Sequence, residues 1–159
     1  MSVGATGERT SARRSRQEMP VRISAKTDYA LRAAAELAAA NGEGLVKADQ
    51  IAQAQGIPLK FLLNILNELK QDEIVRSQRG SEGGFRLARS ADSITLGDVI
   101  RAVEGRLSTI REAPPDEVFY GGPAEGLRDV WLTLQAAVHG VLDSVTLAEL
   151  VRVSDPASS

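Results

Sequence analysis

The 159 residues carry a formal net charge of −2 and no cysteine, which excludes disulfides, thiolate chemistry and a surface that is basic all round. A hydrophobic content of 43% fits one folded domain with extensions, and with only 4% aromatic residues its core must be built from aliphatic side chains and alanine. No apolar run has the length of a membrane span or the character of a secretory signal, so the expectation is a cytoplasmic protein with no membrane partner.

Residues 1–20 are polar and without periodicity. The first nineteen hold four arginines and two glutamates, so they are expected to form a disordered basic leader, with Met19 as an alternative start. Ser24 can cap a helix running to about Asn41, where Asn41-Gly42 stops it. Tyr29, Ala30, Ala33, Ala34, Leu37 and Ala38 give this helix a slim apolar face that lets others approach closely. Lys47 stands where a Ser or Thr cap is expected, and its side chain is a candidate for a phosphate contact.

The next stretch organises the chain. A short helix with Ile51, Ala52 and Ala54 inward reaches Gly56, suited to a left-handed turn, and Pro58 opens a second helix. Phe61, Leu62, Ile65, Leu66 and Leu69 recur at three- and four-residue spacing as an apolar stripe. Leu59, Lys60, Leu63, Asn64 and Asn67 are left on or near the outer face. Ile74–Ser77 and Phe85–Leu87 then form two short strands around Arg79-Gly80-Ser81-Glu82-Gly83-Gly84. Helix, tight turn, helix and hairpin make a winged helix-turn-helix over residues 21–105. Such a second helix matches the B-DNA major groove, and the hairpin reaches the neighbouring minor groove.

Thr95 with Asp98 three residues later is a capping-box arrangement that starts a further helix burying Ile94, Leu96, Val99, Ile100 and Val103. Residues 106–123 lose periodicity around Pro114-Pro115 and Gly121-Gly122-Pro123, as a linker loop does. Its carboxylates Glu112, Asp116 and Glu117 fit a solvated loop better than a cation site. Residues 124–151 are expected to hold the dimerisation helix, the longest in the chain and ending near Ser144. There Leu127, Trp131, Leu134, Val138, Val141 and Val145 step four, three, four, three, four, the spacing of a helix–helix seam. Its location after a linker favours a second copy as the cover. Thr146 and Glu149 can cap one more turn, and residues 152–159 are expected to be disordered. His139 falls off the seam, as a solvated or capping group. The fold class is therefore mainly α with a small β-hairpin wing.

The sequence resembles the Rrf/IscR family of bacterial winged-helix transcription regulators. The resemblance spans Val21 to Val151, and its most specific part is VRSQRGSEGGFRLAR followed closely by ITLGDVI. It implies a homodimer with crossing C-terminal helices, binding a pseudo-palindromic operator, most simply as a repressor. Many members hold an iron–sulfur cluster on three cysteines of the loop before the dimer helix, some with Glu and His ligands from the first helix. Here that loop has no cysteine and the first helix offers Asp28 and Arg32, so no cofactor is expected. Cysteine-free members answer to other signals, which leaves an unidentified effector or protein partner.

Carried over by position, Pro58, Lys60 and Asn64 lie on the DNA-facing side of the recognition helix. Lys60 can reach a phosphate or a guanine edge, and Asn64 can pair with adenine; surface solvation is the competing reading for each. Arg79, beside Gly80, is placed to enter a narrow minor groove, with Glu82 opposing phosphate. Lys26, Tyr29 and Ser77 are candidate phosphate contacts that serve equally well as structural residues. Residues 20–104 hold eleven basic and eleven acidic groups, so affinity for double-stranded DNA must come from local placement. The alternative is a protein-interaction module that kept the fold without binding DNA. An enzyme is excluded by the lack of a nucleophile–base set, a phosphate loop or metal-ligand spacing.

Overall fold

The computed structural model describes residues 23–40, 44–104 and 119–154. The leader, the Asn41-Gly42 stop, most of the expected linker with its three carboxylates, and the last five residues lie outside that set. Six α-helices and one two-stranded antiparallel sheet are described: α1 Ala25–Ala39, α2 Ala48–Gln55, α3 Leu59–Gln71, β1 Val75–Gln78, β2 Gly84–Leu87, α4 Leu96–Glu104, α5 Leu127–Ser144 and α6 Leu147–Ser154. Short 3-10 turns at Ala91–Ser93 and Gly122–Ala124 precede α4 and α5. The mainly helical fold with a hairpin wing is the architecture expected from the sequence.

Local chemistry explains most element ends. Ser24 accepts from the Thr27 N–H at 3.0 Å and opens α1. The Thr95 N–H donates to Asp98 Oδ2 at 3.0 Å while the Asp98 N–H donates to Thr95 Oγ1 at 3.1 Å, a reciprocal box at the start of α4. Thr146 and Glu149 repeat it for α6, at 3.1 Å in both directions. Gly56 ends α2 in the left-handed region at φ 63°, and Pro58 caps α3. Lysine has no lone pair to cap α2, so only half a box forms there: the Lys47 N–H donates to Gln50 Oε1 at 3.1 Å.

The core is small and aliphatic. Ala30, Ala33 and Ala34 of α1 are fully buried, and their short side chains bring α3, α4 and α6 close to one axis. Ile51, Leu62, Ile65, Leu66, Leu69, Val75, Ile94 and Val99 fill the space between. Leu147 is 0% exposed and belongs to this same cluster, so the chain returns to its core after α5. An isolated bridge between Thr95 and Thr146, with the Leu96 N–H donating to the Val145 carbonyl at 2.9 Å, ties the starts of α4 and α6 together.

Four local expectations differ from the structure. Phe61 is 42% exposed rather than buried in the α3 stripe, and its ring meets Tyr29 of α1 edge-on at 5.6 Å. Ala54 is exposed because short α2 packs chiefly through Ile51. The first strand is shifted by one residue, since Ile74 closes the turn after α3, and the second begins one residue earlier, at Gly84. Val145 lies beyond α5 in an extended conformation, because its carbonyl is drawn into the bridge with Leu96.

That turn after α3 carries strain. The Ile74 N–H donates to the Leu69 carbonyl at 2.9 Å and the Glu73 N–H to the Lys70 carbonyl at 3.1 Å, a Schellman closure that puts Glu73 at φ 58°. A side chain there opposes its own backbone. Glu73→Gly is expected to raise stability by about 0.5–1 kcal/mol, the relieved strain less the extra unfolded-state freedom of glycine. A urea-denaturation midpoint that falls in this variant would contradict the assignment of strain.

Candidate nucleic-acid interface

Three segments carry the exposed candidate contacts. On α3, Lys60, Asn64, Asn67 and Gln71 recur at four, three and four residues and are all exposed, because Leu62, Ile65, Leu66 and Leu69 take the opposite side inward. Pro58 sits at the start of the helix with its carbonyl accepting from the Leu62 N–H at 2.9 Å, and Lys60 is therefore in the first turn. Among the described residues no side chain pairs with Lys60 in an ion pair.

The wing follows from its glycines. β1 and β2 pair in the register Val75–Leu87, Arg76–Arg86, Ser77–Phe85 and Gln78–Gly84. The tip closes when the Gly83 N–H donates to the Gly80 carbonyl at 3.0 Å. Gly80 has φ 111°, and a Cβ on Gly83 would stand 2.2 Å from the Gln78 carbonyl oxygen, so a side chain fits at neither. Arg79 is thus presented at an exposed tip.

The third segment carries Lys47, and the pairing that places it was not foreseen in the sequence. Val46 makes two hydrogen bonds with Phe85 at 2.8 Å each and lays the chain before α2 alongside β2. Val46, Phe85 and Ser77 then lie abreast, which brings the exposed Lys47 to the base of the wing. Among the described residues Lys47, Lys60 and Arg79 form no ion pair with a carboxylate.

Lys26 and Tyr29 are engaged inside the fold. Lys26 Nζ lies 2.8 Å from Glu68 Oε2, linking α1 to the flank of α3 with both side chains about one-third exposed. The Tyr29 ring lies between Phe61 and the Arg32 guanidinium, whose carbon stands 4.8 Å from the ring centroid. Arg32 also donates to the Gln55 carbonyl at 2.6 Å and pairs with Asp28 at 2.8 Å, so it bolts α1 to the end of α2 just ahead of α3. Its role left no signal in sequence spacing. Ser77 is half-buried on β1.

The α5 helix contrasts with all of this. None of its eighteen residues is buried, although Leu127, Val130, Leu134 and Val141 are large and apolar. Trp131 and Val138 are half-buried. Trp131 Nε1 and His139 Nε2 are shielded from solvent yet have no hydrogen-bond partner among the described residues. At its far end Asp143 takes two hydrogen bonds from Arg101 of α4, at 2.5 and 3.3 Å, and these hold its carboxyl below the usual carboxylate range. Gly97 leaves room for them, since a Cβ there would stand 1.9 Å from Asp143 Oδ1.

A profile of the Rrf2 family, described as an iron-dependent transcriptional regulator, matches residues 23–153, from before α1 nearly to the end of α6. The chain belongs to the Rrf2 family. It is 45% identical over 130 residues to Rv1287, a Mycobacterium tuberculosis protein named as an HTH-type transcriptional regulator, covering 82% of this chain and 81% of that one. It is 36% identical over 135 residues to the HTH-type transcriptional regulator CymR of Bacillus subtilis, covering 85% and 93%. The solved structure of CymR, titled the global cysteine regulator of B. subtilis, superposes with a TM-score of 0.73 over 85% of this chain and 99% of that one, at 35% identity. T. potens IscR gives 0.72 over 89% and 93%, at 31% identity.

Membership of the Rrf2 family makes this chain a DNA-binding transcriptional regulator of the CymR and IscR kind, and not an enzyme. Its residues do not fit an iron–sulfur cluster. There is no cysteine in the sequence, the Asp28 carboxylate is taken by Arg32, and among the described residues no three His, Asp or Glu side chains are grouped to hold a metal. No helix among the described residues is long and apolar enough to cross a membrane.

Proposed function

We propose that the protein is a homodimeric transcriptional repressor, acting in the cytoplasm, that binds a pseudo-palindromic operator through α3 and the wing and does so without a cluster. The observation that carries this reading is α5: an eighteen-residue helix with an apolar side and no buried residue within its own chain. A helix of that kind needs a cover, and its seam spacing suits a second copy of itself. Two shielded ring nitrogens without partners among the described residues add polar groups that a cover can satisfy. Joining two copies along α5 gives two sets of Lys47, Lys60, Asn64 and Arg79 for two half-sites, as a two-fold symmetric protein and a palindrome require.

The reading is tested by selecting bound fragments from genomic DNA with the full chain and titrating salt. Affinity is expected to fall steeply, with a log–log slope of about −0.9 per phosphate contacted. A chain that retains no fragment at low salt would instead be an interaction module. A strong visible absorption band in anaerobically purified protein would contradict the cluster-free form.

A further inference from the structure

The outer face of α3 is not wholly polar. Leu59 and Leu63 are 44% and 45% exposed on a helix whose inward stripe is already complete. Four residues apart, they stack one turn above the other. At three- and four-residue spacing Leu63 is also the surface neighbour of Lys60 and Asn67, so the leucines border the polar row directly. The major groove offers one apolar feature to such a strip, the C5-methyl group of thymine.

We propose that Leu59 and Leu63 are specificity-determining residues that contact thymine methyl groups in each half-site, adding a preference for thymine beside the positions that Lys60 and Asn64 read. The inference rests on the DNA-binding reading given above. Charge complementarity favours a duplex over a protein as the occupant. The strip is adjoined by Lys60, which has no carboxylate partner among the described residues and is left for a phosphate flanking a groove.

Duplexes recovered with the full chain from a random-sequence pool provide the test, resynthesised with deoxyuridine at single thymidine positions. That exchange removes a methyl group and leaves every hydrogen-bonding edge in place. At one or two positions per half-site, affinity of the unaltered protein is expected to fall about three- to fivefold. Leu59→Ala or Leu63→Ala is expected to bind the thymine and uracil duplexes equally at the matching position. Indifference to uracil throughout the half-site overturns the proposal, as does a uracil penalty that persists unchanged in both variants. A selection that yields no bound duplex removes the DNA-binding reading itself, and the methyl contact falls with it.

Discussion

Replacing Leu134 by aspartate is expected to yield a monomer in sedimentation and to weaken binding to a two-half-site duplex by on the order of 100-fold or more. Leu134 is 39% exposed in the single chain, so the carboxylate is solvated there and the fold of each copy is undisturbed. Against a second α5 it would have to lose that water beside apolar Leu127, Val130, Trp131, Val138 and Val141, with no cation at hand on the seam. Once the copies separate, each reader binds its half-site alone, and the advantage of a tethered second contact vanishes. A variant that stays dimeric would show that α5 is covered by something other than its twin.

Removing the wing arginine acts differently. Arg79→Ala is expected to weaken operator binding by about 1–3 kcal/mol while leaving the dimer intact. Gly80, at φ 111°, and Gly83, where a Cβ would meet the Gln78 carbonyl oxygen, let the tip turn sharply and leave Arg79 exposed on it. If it meets only phosphate, the loss is uniform across sequences and the salt slope falls by about one; if it enters a narrow groove, selectivity for A·T steps falls as well. Because Arg79 is exposed, its removal is expected to change thermal stability by no more than about 0.5 kcal/mol. Unchanged affinity would take the wing out of the contact.

What was legible in the sequence is what depends on near neighbours. The Thr95–Asp98 and Thr146–Glu149 caps, the Gly56 turn and the Leu62–Leu69 stripe each involve residues within one or two turns, so their spacing exposes them. The contacts that place the site are long-range. Val46 pairing with Phe85, Arg32 reaching the Gln55 carbonyl and Arg101 holding Asp143 span 39, 23 and 42 residues, and no local pattern encodes such pairings. Glu73 was missed for another reason: the left-handed position after α3 is usually marked by glycine, and here it is not. Likewise Phe61 has the spacing of a core residue, but the partner it finds is a single aromatic edge.

Leu147 closes the core from beyond α5, on the far side of the very helix whose apolar face stands open to a partner. The helices before α5 are therefore not a self-sufficient module: severing the chain anywhere before residue 147 would remove a fully buried side chain from the shared core. A chain that completes this core has therefore already made α5, with its apolar side uncovered.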